Sequence, residues 1–233
     1  MNAAIIAAGG SGERFGGAAG KQLAVVAGLP VLSHTLLAFD ACPDVEAVVV
    51  VTHPDRVDEY QRVAVDAAGI RKVIAVVAGG STRVQSVRAG LAALPEGVDL
   101  VAVHDGARAA IEPGTISAAF HALAKHAQID GVVVGHPSVD TLKEVDADGH
   151  VVATPDRNRY WIAQTPQVFR ASALSRAYWR AGIAGIEGTD DAALVEALGG
   201  TILMVAGPRS NLKVTVPEDL EMLSAILTAR RKA

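Results

Sequence analysis

The stretch Ala3-Ala4-Ile5-Ile6-Ala7-Ala8-Gly9-Gly10-Ser11-Gly12-Glu13-Arg14-Phe15, followed by Lys21-Gln22, decides how this chain is read. Residues 3–8 are a short apolar run stopped by glycine, the pattern of a strand buried on both faces. The glycines after it let the backbone turn tightly and aim successive N–H groups at one concavity, where an anion can sit. Arg14 and Lys21 add a forked cation and a point charge a few residues downstream. Together they suit a triphosphate. Two familiar phosphate motifs fail here. A dinucleotide fingerprint needs G-x-G-x-x-G, and Phe15 occupies the third glycine position after Gly10 and Gly12. A P-loop needs glycine at position 15 and Ser or Thr after Lys21, where Phe15 and Gln22 stand. The plain alternative is a glycine-rich surface turn with solvated Arg and Lys.

Apolar runs of the same kind recur at 47–52, 73–78, 100–104 and 131–135, each ending near Gly, Pro, His or Asp. Between them lie helical patterns. Val57, Tyr60, Val63, Ala64 and Ala67 follow Pro54-Asp55, and Val84, Val87, Leu91 and Leu94 follow Ser81-Thr82. A further helix is expected over about 113–127. This alternation predicts an α/β fold: a three-layer α/β/α sandwich, Rossmann-like, with a mainly parallel sheet. The rhythm breaks from Pro137 to Pro166. Residues 142–153 look like a β-hairpin turning at Asp146-Ala147-Asp148-Gly149, followed by a polar stretch containing Arg157. Some 30 residues without a helix inside a domain are expected to be functional or interfacial. Helices near 171–182 and 190–198, a strand at 201–205 and a last helix from Pro217 complete the chain. The division is one domain, residues 1–233, with a protruding arm at about 137–166.

The 233 residues carry 21 Lys+Arg against 25 Asp+Glu, a formal net charge of −4. Half are hydrophobic and only 4% aromatic, so the core is built from Ala, Val, Leu and Ile, and disorder is excluded. A single cysteine, Cys42, rules out an intramolecular disulfide framework and fits a reducing compartment. A pI near 6.0 disfavours nucleic acid as a partner. No apolar run approaches the roughly 20 residues that span a bilayer, and the opening residues lack a basic leader. The expectation is a cytoplasmic protein with neither a membrane nor a nucleic-acid partner.

The opening strand, its glycine-rich loop and the later motifs carry a resemblance. Gly79-Gly80-Ser81-Thr82-Arg83-Val84-Gln85-Ser86-Val87, Val103-His104-Asp105-Gly106-Ala107-Arg108 and Asp140-Thr141-Leu142-Lys143 come in order. They are followed by Asp156-Arg157-Asn158, Gln164-Thr165-Pro166-Gln167, Thr189-Asp190-Asp191-Ala192 and Asn211-Leu212-Lys213-Val214-Thr215. The chain resembles the 2-C-methyl-D-erythritol 4-phosphate cytidylyltransferase family of nucleotidyltransferases over residues 5–220. The resemblance implies transfer of CMP from CTP to 2-C-methyl-D-erythritol 4-phosphate in the non-mevalonate isoprenoid pathway, with pyrophosphate leaving. It also implies Mg2+ or another divalent cation, held mainly by the CTP phosphates rather than by a protein metal site.

In that pattern Arg14, Lys21, Lys213 and Arg157 are the catalytic residues. The nucleotide is held by Ala7, Ala8, Gly9, Gly10, Ser11, Gly12, Gly79, Gly80, Arg83, Ser86 and Gly106, with the small residues and the Ser86 hydroxyl on the cytosine edge. The acceptor is held by Asp105, Arg108, Thr141, Arg157, Thr165, Thr189 and Lys213. Arg157 lies in the arm, which in the family crosses to a second subunit, so a homodimer is implied. Other readings of single residues stay open: Ser86 could bond only a preceding carbonyl, Thr189 could be a helix N-cap, and Asp105–Arg108 a surface ion pair. His104 is expected to pack or hydrogen-bond at a strand end. The chain departs from the family pattern at Ala7, Gly20, Gly106 and Ala109, where Pro, Pro, Ala and Pro are common. These departures bring the ribitol 5-phosphate cytidylyltransferases close as an alternative. A sugar 1-phosphate nucleotidyltransferase and a non-catalytic nucleotide-binding module are remoter ones.

Overall fold

The apolar run Asn2–Ala7 forms β1, an interior strand of a seven-stranded sheet in the computed structural model, which describes residues 1–10, 15, 20–186 and 188–231. The other strands are β2 (Val25–Val26), β3 (Leu29–Pro30), β4 (Ala47–Thr52), β5 (Val73–Ala78), β6 (Leu100–Asp105), β7 (Gly131–Pro137), β8 (Glu144–Val145), β9 (Val151–Ala153), β10 (Trp161–Arg170) and β11 (Ile202–Ala206). The helices are α1 (Gly20–Leu23), α2 (Val31–Ala41), α3 (Val57–Tyr60), α4 (Arg83–Ala92), α5 (Pro113–Lys125), α6 (Ala171–Ala184), α7 (Asp191–Glu196) and α8 (Asp219–Arg231). In the main sheet the order is β11-β7-β10-β6-β1-β4-β5. All neighbours run parallel except β10, which is antiparallel to both β6 and β7.

Strands β1 and β4 are buried on both faces because helices cover the sheet on each side. One face packs Ile6, Val48 and Val50 against Leu32, Leu36 and Phe39 of α2 and Ile116, Phe120 and Leu123 of α5. The other packs Ile5, Val49 and Val101 against Val84 and Val87 of α4 and Leu174, Ala177 and Tyr178 of α6. The expected α/β sandwich is what forms, and its most continuous apolar runs are its central strands.

Sequence patterning misses β10. Residues 161–166 belong to the stretch read as an arm, yet β10 runs for 10 residues and wedges between β6 and β7. Its register shifts between Ala163 and Gln167, where the Gln164-Thr165-Pro166-Gln167 motif lies. The hairpin expected at 142–153 is present as β8 and β9, with Gly149 at φ +85° in its turn. Among the described residues, no helix is long and apolar enough to cross a membrane.

Chain crossovers leave β1 toward β4 on one side, and the chain later returns to β6 on the other. The loops after β1 and β6 therefore diverge at the carboxyl edge, where open α/β sheets bind ligands. Gly106 N, just past β6, donates to Ala7 O at 3.0 Å and closes the floor of that crevice.

Candidate active site

Two cavities open side by side on this edge. The larger, about 670 Å³, is lined by Ala7, Gly9, Gly10, Lys21, His53, Gly80, Arg83 and Ser86, among others. The smaller, about 300 Å³, is lined by Arg108, Gln164, Thr165, Gln167, Thr189 and Asp190, among others. Arg83, Asp105 and Lys213 line both and form the boundary between them.

The boundary is built around Asp105, the last residue of β6. Its Oδ1 accepts from Arg83 Nη1 at 3.1 Å, while Lys213 Nζ stands 2.9 Å and Arg108 Nε 3.5 Å from Oδ2. Burial alone pushes a carboxyl up. Here the charges of Arg83, Lys213 and Arg108 outweigh burial and hold Asp105 well below the usual carboxylate range. Asp105 is thus a fixed anion organising three cations, and the surface ion pair considered from sequence is in fact a nearly buried hub, 7% exposed.

Long-range contacts fix each member of the hub. Lys213 follows β11 in a segment docked by Val214 N on Ala107 O at 2.9 Å. Buried Asn211 donates to Thr165 O at 2.8 Å and to Gln164 Oε1 at 3.1 Å, and its own carbonyl accepts from Arg108 Nη1 at 3.0 Å. Arg83 is the first residue of α4, whose start is capped by Thr82 Oγ1 accepting from Gln85 N at 3.2 Å. The Arg83 fork continues onto Asp191, with Nε at 3.2 Å from Oδ1 and Nη2 at 2.6 Å from Oδ2. Asp191 is fully buried and also accepts from the hydroxyl of Tyr178.

Thr165 is nearly buried, and its Oγ1 accepts from Asp105 N at 3.0 Å. It also lies 3.0 Å from His104 Nδ1, to which its hydroxyl donates when the His104 proton is on Nε2. Burial pushes the imidazole of His104 down to about 3, so it is neutral at physiological pH. His104 therefore sits at the strand end in the role expected for it, as a hydrogen-bonded core residue.

In the larger cavity the Ser86 hydroxyl bonds a preceding carbonyl, donating to Gly80 O at 3.4 Å, and its Oγ also accepts from Gly80 N at 3.3 Å, so it holds the turn after β5 while lining the cavity. Glycine is required beside it: a Cβ on Gly79 would stand 2.7 Å from Ser86 Oγ, and one on Gly80 would stand 2.4 Å from the Gln85 side chain. A Cβ on Gly106 would lie 2.9 Å from Leu32 Cδ1 and 3.1 Å from Gln22 Oε1. The departure at Gly106 lets those two side chains sit close to the backbone.

Among the residues singled out from sequence, Ala7, Gly9, Gly10, Lys21, Gly80, Arg83, Ser86, Asp105, Arg108, Thr165, Thr189 and Lys213 line one or both cavities. Ala8 is buried beneath the loop, its N–H on Val51 O at 2.7 Å, and Gly79 and Gly106 support the walls. Ser11, Gly12 and Arg14 lie outside the described residues. Thr141 and Arg157 line neither cavity; Arg157 Nη1 donates to Val139 O at 2.6 Å within the arm. Thr189 does not cap the following helix. Asp190 does, its Oδ1 accepting from Ala193 N at 2.9 Å, because the helix begins one residue later than the sequence signal suggested.

Sequence reasoning missed His53 and Pro54 in the larger cavity, Gln167 in the smaller, and Tyr178 behind them. The end of β4 was an available signal for the first two. Nothing local marks Tyr178.

The donor set does not make a protein cage for a divalent cation. Among the described lining residues the carboxylates are Asp105, bound to Arg83 and Lys213, and Asp190, bound to Gln167 Nε2 at 2.7 Å and to the helix start. Asp146, Asp148 and His150 come within 4.8 Å of one another at the exposed hairpin turn, apart from both cavities.

Comparison with known proteins gives one answer. The family model for 2-C-methyl-D-erythritol 4-phosphate cytidylyltransferase (IspD) matches residues 2–229. A protein of that name from Pelotomaculum thermopropionicum is 41% identical over 229 residues, covering 98% of this chain and 95% of its own. One from Chromobacterium violaceum is 43% identical over 229 residues, covering 97% and 98%. The crystal structure of 4-diphosphocytidyl-2C-methyl-D-erythritol synthase from Anaerococcus prevotii superposes with a TM-score of 0.85 at 29% identity, covering 98% of each chain.

Proposed function

This chain belongs to the 2-C-methyl-D-erythritol 4-phosphate cytidylyltransferase family, and on that premise we propose how its residues divide the work of the reaction. The enzyme transfers CMP from CTP to 2-C-methyl-D-erythritol 4-phosphate in the non-mevalonate isoprenoid pathway. An acceptor phosphate oxygen attacks the α-phosphorus of CTP, the α–β phosphoanhydride bond breaks, and pyrophosphate leaves.

The larger cavity takes CTP. Ala7, Ala8, Gly79, Gly80 and Ser86 read the cytosine edge, while Gly9, Gly10, Ser11, Gly12, Arg14 and Lys21 hold the triphosphate. The smaller cavity takes the acceptor against Asp105, Arg108, Thr165 and Thr189. The observation that carries this division is the sharing of Arg83, Asp105 and Lys213 by both cavities. The transferred phosphorus must cross that boundary, and cations fixed there meet charge as it accumulates. Alignment and electrostatics suffice. A phosphate monoester with a second pKa of about 6 is mostly a dianion at neutral pH and needs no general base. A divalent cation, magnesium in this reading, would be held mainly by the CTP phosphates and would supply positive charge toward the leaving pyrophosphate.

The rest of the assignment concerns the arm. In our reading the chain is one domain whose arm, residues 137–166, lies across a second copy and brings Arg157 and Thr141 to the partner's acceptor cavity. Exposed Val145, Val151, Val152, Tyr160 and Ile162 give the arm and its base the apolar surface such an interface needs. The same reading assigns the enzyme to the cytoplasm.

The test is pyrophosphate release with CTP and Mg2+, comparing methylerythritol 4-phosphate with D-ribitol 5-phosphate. A clear preference for methylerythritol phosphate is expected. Preference for ribitol phosphate overturns the acceptor assignment, and silence with both despite CTP binding keeps only the donor site. Competition by GTP or ATP as strong as by CTP overturns the base-reading residues.

A further inference from the structure

We propose that Tyr178 and Asp191 are positioning residues for the transfer, acting through Arg83 to hold its guanidinium at the boundary of the two cavities; this rests on the cytidylyl-transfer reading above. The chain of contacts is continuous. The Tyr178 hydroxyl donates to Asp191 Oδ1. Asp191 takes two nitrogens along one edge of the Arg83 fork, Nε at 3.2 Å and Nη2 at 2.6 Å. The remaining nitrogen, Nη1, is left to face Asp105 at 3.1 Å. Three helices supply the parts: Tyr178 from α6, Asp191 from the start of α7 and Arg83 from the start of α4.

Stability does not account for this arrangement. Tyr178 is 1% and Asp191 0% exposed; Tyr178 stands within the apolar cluster that α4, α6 and α7 build on one face of the sheet, and Asp191 adjoins its member Ala192. A buried ion pair on such a site typically stabilises no more than well-packed apolar side chains would. What it does supply is orientation, since a guanidinium gripped along one edge has lost the freedom to swing. Gln167 reinforces the aim. Its Oε1 accepts from Ala192 N at 2.9 Å and its Nε2 donates to Asp190, fixing the turn that presents Asp191. Burial and the Asp191 carboxylate push the Tyr178 phenol up, so it stays a proton donor throughout the working pH range. The two residues touch neither cavity, and Arg83 touches both.

The test is steady-state kinetics of Tyr178→Phe, which deletes only the hydroxyl. Its kcat is expected to fall about tenfold, the effect of one hydrogen bond to a charged group, with KM for both substrates changed less than about threefold. Leu174→Ala, elsewhere in the buried face of α6, serves as the control for simple destabilisation: its Tm falls while its kcat stays. Combined with Arg83→Lys, Tyr178→Phe should lose its effect on kcat to within about twofold. An unchanged kcat in Tyr178→Phe, or a full tenfold loss on the Arg83→Lys background, overturns the proposal. A second measurement is independent of turnover. The Arg83 Nε–H signal in 15N NMR, assigned by its loss in Arg83→Lys, should be ordered in the unmodified protein and disordered in both Tyr178→Phe and Asp191→Asn. Equal order in all three overturns positioning. An unmodified protein that releases no pyrophosphate overturns instead the functional reading on which the proposal rests.

Discussion

Lys213 Nζ stands 2.9 Å from Asp105 Oδ2, an ammonium from the segment after β11 resting on the carboxylate that ends β6. Lys213 is 43% exposed at its side chain, so the pair adds little to stability and much to placement. Lys213→Ala is expected to lower kcat about a hundredfold or more, as loss of an oxyanion donor does, while CTP binding and Tm stay close to wild type. Pyrophosphate release and a thermal melt check both halves.

The glycine-rich loop and Lys21 make the same demand at the other end of the larger cavity. Arg14→Ala and Lys21→Ala should each cut kcat by about a hundredfold if each meets charge on the triphosphate. Near-normal turnover in both variants would remove the triphosphate from this loop.

Gly79 and Ser86 are too close for an added methyl group. In Gly79→Ala the new Cβ would stand 2.7 Å from Ser86 Oγ and 3.1 Å from Val51 Cγ1, so Ser86 must leave its position. The KM for CTP should rise about tenfold, the loss of about one hydrogen bond, with the acceptor KM unchanged. A parallel rise in both would show that the turn serves the acceptor as well.

Arg157 donates within its own arm and lines neither cavity of its own chain. Arg157→Ala should weaken acceptor use and leave CTP binding intact. On the shared-site reading, mixed dimers of Arg157→Ala with Lys21→Ala subunits should regain activity, because one of their two composite sites would be wild type. No recovery on mixing would sink the shared-site reading.

His104 makes stability and activity separable by pH. The unfolded imidazole takes up a proton below about 6.5, whereas burial delays this to about 3 in the folded protein. Between those values the unfolded state binds more protons, so stability rises with pH and is lost as pH falls. At pH 5 the loss relative to neutral pH amounts to about 2 kcal/mol, measurable as a drop in urea midpoint that His104→Gln should largely abolish. Activity should behave differently. Its acid limb follows the second ionisation of the acceptor phosphate, at about 6, and should survive in His104→Gln. An acid limb that moves with His104 would make the imidazole part of the chemistry.

Much of this site was legible because its pieces lie where apolar strands run out. Residues 3–8 announce a buried strand, the glycines after it a turn open to anions, and Asp105 and Arg108 the end of another strand. These are local consequences of composition: a run of Ala and Ile cannot face water, and glycine alone tolerates the close approaches seen at 79 and 80. Of the cations that the family pattern named, Lys21, Arg83, Arg108 and Lys213 line the cavities and Arg157 does not, while Arg14 lies outside the described residues. By contrast, the polar stretch from Pro137 concealed the first half of β10, whose alternation is interrupted by the shift between Ala163 and Gln167. The start of α7 also moved one residue, since Asp190 rather than Thr189 meets the free N–H of Ala193.

The sequence by itself determined the layered α/β architecture and the end of the sheet at which a ligand binds, because both follow from hydrophobic periodicity and the residues that interrupt it. Only the tertiary structure decided which charges meet. Arg83 pairs with Asp191 across 108 residues and with Asp105 across 22, and Thr165 reaches Asp105 across 60. Those distances in sequence close only when β10 is inserted beside β6, when α6 and α7 pack over the same sheet face as α4, and when the segment after β11 docks on the loop after β6. Side-chain partners are set by strand order and helix placement, which no local pattern encodes.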